Sequence, residues 1–89
     1  MDIIFSPEAT DSIRSIQNFL KEVPIAFDKV VGRINICLKI IKNNPYIGKE
    51  GRYQGTRELF VSNTSYVIIY RIKEDTIEVI TILHTSRQY

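Results

Sequence analysis

One cysteine and one histidine stand among the 89 residues. A lone cysteine, Cys37, excludes an internal disulfide, and it also excludes any cysteine-based zinc site. With His84 the only histidine, the reading is no metal and no cofactor. The lack of a disulfide framework suggests a reducing compartment. No apolar run approaches the ~18 residues of a membrane span, and MDIIFSPEAT carries neither the basic stretch nor the apolar stretch of a signal peptide. The expected location is the cytoplasm, with no membrane partner. A dominant charge sign is missing too. Twelve Lys/Arg against ten Asp/Glu leave +2, with the signs alternating along the chain, which is a weak footprint for nucleic acid. Repeats, low-complexity tracts and linkers are absent, so residues 1–89 are expected to form a single domain. A chain this short buries only about 60–65% of its unfolded surface, and its core is modest.

Periodicity supplies the rest. Asp2–Phe5 reads as a short strand. Ser6-Pro7-Glu8 then opens a helix: serine caps free N–H groups, proline suits the first helical position, and glutamate favours the positive helix end. Ala9, Ile13, Ile16 and Leu20 recur on one helical face. A second helix is expected from Pro24 to Lys42, with Phe27, Val30, Ile34, Leu38 and Ile41 on its buried side, stopped by Asn43-Asn44-Pro45. The short link Lys21–Val23 predicts an antiparallel hairpin. Gly32 costs this helix roughly 1 kcal/mol of propensity and is read as a point of close approach between the helices. After the glycine-rich loop PYIGKEGRYQG the period changes from 3.6 to 2. Thr56–Val61, Tyr66–Ile72 and Thr76–Leu83 are then three strands of an antiparallel meander, with turns at Ser62–Ser65 and Lys73–Asp75. The expected fold class is α+β, with the helices on one sheet face.

Two-residue loops at Asn63-Thr64 and Glu74-Asp75 set a register. Arg71 faces Glu78, a favourable cross-strand charge pair; Ile69 faces Ile80, Val67 faces Ile82, Arg57 faces Tyr70, Leu59 faces Ile68 and Val61 faces Tyr66. The face holding Arg57, Leu59, Val61, Tyr66, Ile68, Tyr70, Ile72, Ile77, Val79 and Leu83 is nearly all apolar and belongs under the helices. The second face holds Glu58, Phe60, Val67, Ile69, Arg71, Glu78, Ile80, Ile82 and His84. Two helices cannot cover both faces. Phe60, Val67, Ile69, Ile80 and Ile82 are therefore expected to form an exposed apolar patch, the mark of a binding site, unless the glycine-rich loop or the C-terminal tail folds over it.

Taken together, GTRELFV, YVIIYRI and VITILHTSRQY, with the upstream NPYIG loop, resemble the RelE/ParE superfamily of toxins from type II toxin–antitoxin systems. The terminal H-x-x-R and the G-x-R-E-L run look closer to the ParE branch. The resemblance covers the whole chain and implies a cognate antitoxin as partner, alone with it in a hetero-oligomer or alongside a toxin homodimer. It implies one of two activities: binding and inhibiting DNA gyrase, or cleaving mRNA on the ribosome. The nuclease members carry cations on the two central strands. The matching positions here are Glu58, Phe60 and Val67, none of them cationic, and this departure favours gyrase over RNA cleavage. A third reading is a toxin fold that only binds its antitoxin.

RNA cleavage requires cations on the phosphate and a proton acceptor near the 2′-hydroxyl. The candidates for it are His84, Arg87 and Tyr89. His84 could act as a base or simply bond the tail. Arg87 could hold a phosphate or a carboxylate through its guanidinium fork, and Tyr89 could stack or pack. The expected partner-binding residues are Glu58, Phe60, Val67, Ile69, Arg71, Ile80, Ile82 and Arg87. Glu58, Arg71 and Glu78 are read as one charge cluster, Arg57 and Tyr70 as a pair in contact, and Cys37 as a small core residue.

Overall fold

The computed structural model of the chain describes residues 1–85. Its elements are β1 (Asp2–Phe5), α1 (Pro7–Phe19), α2 (Pro24–Asn43), β2 (Lys49–Glu50), β3 (Arg57–Phe60), β4 (Tyr66–Lys73) and β5 (Thr76–His84). The α+β class, the leading strand, the two helices and the closing meander match the expectation. β2 was not expected: two residues of the glycine-rich loop pair with β3, too few to leave any periodic signal. The strands form one sheet in the order β1-β5-β4-β3-β2. β1 runs parallel to β5, and the other neighbours are antiparallel.

α1 begins as its sequence dictates. The Ser6 side chain accepts the Ala9 N–H at 3.0 Å, with Pro7 and Glu8 in the first turn. The same hydroxyl donates to the Ile80 carbonyl at 2.6 Å, so one serine caps the helix and ties it to the sheet. Ala9 and Ile16 from α1, and Ile34, Cys37 and Ile41 from α2, pack into one cluster with Val61, Ile68, Tyr70, Ile77 and Val79. Each fully buried branched side chain of this kind contributes about 1.5–3 kcal/mol relative to exposure. Burial pushes the Cys37 thiol up to about 11, which keeps it a neutral, small apolar residue. Gly32 departs from the expectation: a Cβ built there meets nothing within 4 Å, so no close helix approach requires it.

Register follows the expectation near the turns. Lys73 pairs with Thr76, Arg71 with Glu78, Arg57 with Tyr70, and Leu59 with Ile68. Farther along, a bulge intervenes: Tyr70 still faces Val79, but Ile69 faces Thr81, Val67 faces Leu83, Ile68 faces Ile82 and Tyr66 faces His84. The expected pairs Ile69–Ile80 and Val67–Ile82 are therefore replaced. Ile82 and His84 turn to the helix-covered face, and Leu83 turns away from it. β1 stops at Phe5, opposite Val79. Beyond that point the edge of β5 meets α1, where Ser6 bonds the Ile80 carbonyl and the Ser12 hydroxyl accepts the Ile82 N–H at 3.3 Å. The bulge falls where β5 exchanges a strand neighbour for a helix, a common place for an extra residue to re-aim a strand.

The second sheet face is covered in part. Val67 and Ile69 are 0% exposed, and Ile82 is buried within the helix-side core. The contiguous patch expected there does not exist; only Phe60 of those five residues is exposed, while Ile80 is half-buried.

Candidate functional site: the groove beside β5 and the loop that borders it

The loop between α2 and β3 is pinned from below by two side chains of the sheet. The Tyr70 hydroxyl donates to the Pro45 carbonyl at 2.7 Å and accepts the Gly48 N–H at 3.0 Å. Arg57 donates to the carbonyls of Tyr46 and Gly48 at 3.2 and 2.7 Å, and its guanidinium lies 4.9 Å from the centre of the Tyr46 ring. Arg57 and Tyr70 do face each other across the strands, yet each is spent on the loop rather than on the other. Gly48 is the residue this requires, because a Cβ there would lie 2.6 Å from the Tyr70 hydroxyl oxygen and 3.0 Å from the Glu58 carbonyl.

Farther along, the loop crosses the second sheet face. Arg52 donates from Nε to Glu58 Oε2 at 2.7 Å and from a terminal nitrogen to Oε1 at 2.8 Å, and its backbone N–H adds a third bond to Oε2 at 2.7 Å. The Glu58 side chain is 4% exposed. The hydrogen-bonded Arg52 guanidinium holds its carboxyl down to about 2 from the usual 4.5, against the opposing effect of burial and with some help from Lys49. A carboxylate held this way is a charge-assisted anchor. It carries the loop over the face on which Val67 and Ile69 lie. Glu58 therefore does not join Arg71 and Glu78, which pair with each other at 2.6 Å on the exposed surface. Arg52 is the residue sequence reasoning missed. The available signal was a glutamate within an apolar strand face, because a buried carboxylate calls for a cation.

Beside this pin lies a groove of about 580 Å³ between α1 and the end of β5. Glu8, Asp11, Ser12 and Phe19 line it from α1, Arg52 and Tyr53 from the loop, and Tyr66, Thr81 and His84 from the strands. The Ser12 and Thr81 hydroxyls sit 3.2 Å apart. His84 meets Tyr66 edge to face, with ring centres 5.2 Å apart. Among the described residues, Arg52 is the one cation in the lining, and it already holds Glu58. Glu8 and Asp11 add carboxylates to the same walls, the Asp11 carboxylate accepting from Arg14 at 3.1 Å. The described residues of this groove can offer hydroxyls, an imidazole and aromatic edges to a partner, but among them a phosphate finds little to bind.

Of the residues singled out from the sequence, the structure brings His84 into this groove and leaves Glu58 beneath its loop wall. Val67 and Ile69 are sealed, Ile82 is in the core, Arg71 and Phe60 are exposed elsewhere, and Ile80 marks the bulge. Arg87 and Tyr89 lie outside the described residues. Among the described residues no group of three His, Cys, Asp or Glu is placed to hold a metal ion, and no helix is long and apolar enough to cross a membrane.

Residues 3–89 match the family model described as ParE toxin of type II toxin–antitoxin system, parDE. The chain is 36% identical over 69 residues, 78% of its length and 71% of the relative's, to "Putative toxin Y4kP" of Sinorhizobium fredii (strain NBRC 101917 / NGR234). Among solved structures it resembles that of a chromosomal ParDE system from P. aeruginosa, with TM-score 0.71 and 16% identity over 94% of this chain and 95% of that one. It also resembles a chain of the E. coli DinJ-YafQ complex, with TM-score 0.67 and 12% identity over 99% and 97% of the two chains.

Proposed function

Because the chain belongs to the ParE toxin family of type II toxin–antitoxin systems, we propose that it arrests growth by binding DNA gyrase, without cutting RNA, and that a cognate antitoxin neutralises it. The observation that carries this reading is the charge of the groove. Cleaving an RNA phosphodiester needs cations to stabilise the charge that develops on the phosphate. The groove beside His84 presents the Glu8 carboxylate, an Asp11 carboxylate paired with Arg14, and a single described cation in its lining, already committed to Glu58. The three strand positions at which nuclease relatives carry cations are a pinned carboxylate, an exposed Phe60 and a sealed Val67. In this setting His84 is a contact residue at the rim of a binding surface.

Ribosome-dependent mRNA cleavage is the competing reading, favoured by the placement of His84 in an open groove beside two hydroxyls. One experiment separates them. Purified protein is added to a gyrase supercoiling reaction and, in parallel, to a translating extract analysed by primer extension. Lost supercoiling with intact message is the expected result. Message cut with supercoiling unaffected would overturn the gyrase reading and make His84 the first residue to replace.

A further inference from the structure

The exposed apolar surface that the second sheet face fails to supply is found on α2 and at the open edge of β3. Ile36 and Ile40, 56% and 42% exposed, are one turn apart and therefore share one flank of the helix. Together with Ile47 and Phe60 they surround a pit of about 120 Å³, with Cys37 and Leu59 also in its lining. β2 pairs only with Arg57 and Glu58, so Leu59 and Phe60 have no strand on their outer side among the described residues. The core needs none of these four residues outside. A cluster of large aliphatic side chains beside an unpaired strand edge is costly in water unless something covers it.

The charge around the pit selects what covers it. Arg33 lines the pit, and the Lys49 ammonium lies 5.0 Å from the centre of the Phe60 ring. Lys29 lies one turn before Arg33 and shares with it and Ile36 the adjoining hollow, whereas Lys39 and Lys42 line a separate groove against β1. A second copy of this chain seated here would set cationic rim against cationic rim. A nucleic acid would satisfy the rim but has no aliphatic group for the pit. We propose that this surface receives an acidic, apolar segment of the antitoxin, with a branched aliphatic side chain in the pit between Ile36 and Ile40 and carboxylates against Arg33 and Lys49. This rests on the toxin–antitoxin reading above and moves the expected antitoxin site from the second sheet face to α2 and the β3 edge; of the residues expected to bind it, Phe60 is the one shared.

The test uses the whole chain and its cognate antitoxin, with affinity measured by titration. Ile36→Glu with Ile40→Glu is expected to weaken binding by at least 100-fold while the melting temperature stays near that of the parent, since both positions are exposed. Arg33→Glu is expected to weaken it about tenfold and to flatten the dependence of affinity on salt. The Ile36/Ile40 variant should still inhibit gyrase and arrest growth, and the antitoxin should no longer rescue the cells. Unchanged affinity in the folded double variant would overturn the proposal and leave the toxin–antitoxin reading standing. Kept antitoxin binding with lost growth arrest would assign the surface to the toxic target instead, and loss of binding to a labelled oligouridine in place of the antitoxin would assign it to RNA. A parent protein that binds no antitoxin would overturn both readings, so the two failures are distinguishable.

Discussion

Both faces of this sheet bury apolar side chains, but by different means. On one, two helices lay Ala9, Ile16, Ile34, Cys37 and Ile41 against the strands, and closure is the sum of many weak apolar contacts. On the other, where Val67 and Ile69 are fully buried, the glycine-rich loop is held by one ion pair between Arg52 and the buried Glu58, while Tyr70 and Arg57 bond its base from the helix-covered side. The helix side distributes its stability over a cluster. The loop side concentrates it in a few directional bonds, one of which depends on a charged carboxylate. The teaching is that a small chain with only two helices can still seal a second face, provided a loop is pinned by polar groups that cannot be removed singly without penalty.

The most severe break in that symmetry is Arg52→Ala, which leaves the Glu58 carboxylate buried without its fork. A loss of about 3–5 kcal/mol is expected in urea unfolding, with amide exchange quickening first at Val67 and Ile69 and last at Ile34. Equal quickening on both faces would show that the loop is no separate seal. Ile41→Ala, on the helix side, is expected to cost about 2–5 kcal/mol by transfer and cavity terms, with the same cost at neutral and mildly acidic pH.

Acid should then separate the faces. The Glu58 carboxyl is lowered in the fold, from 4.5 to about 2. Its contribution is therefore fully present above about pH 4.5 and is lost as pH falls toward 2, on the order of 3 kcal/mol in total. Stability measured across that window should fall in the parent and in Ile41→Ala, and the fall should be much shallower in Arg52→Ala. A parallel fall in all three proteins would place the acid sensitivity elsewhere. The smallest expected effect has the opposite sign: Gly32→Ala on α2 meets open space and should raise stability by up to about 1 kcal/mol, read as a shift of the thermal midpoint.

Most element positions were legible, because helix starts and tight turns are local chemistry. Ser6 and Pro7 announce α1. The turn at Glu74-Asp75 fixes the first pairs of the β4–β5 hairpin through Arg71 and Glu78, and Glu74 takes a left-handed φ of 58° there. The candidate site was legible in fewer of its parts. His84 was singled out, but on the wrong face. Arg52 was passed over because it lies in a loop without periodicity, six residues from the carboxylate it holds. Glu58 read as a surface charge because strand alternation shows which residues share a face but not what lies over that face.

The sequence alone determined the order and type of every element but β2, the helix cap at Ser6, the apolar stripe of α2 and the hairpin register next to its turn. These depend on interactions between residues a few positions apart. The tertiary structure decided the rest. A single extra residue at Ile80 reverses the parity of everything after it, and that reversal is set by α1 arriving at the edge of β5. Whether Val67 and Ile69 face solvent or a loop is set by a bond between Arg52 and Glu58 that forms only once the chain has folded back over the sheet.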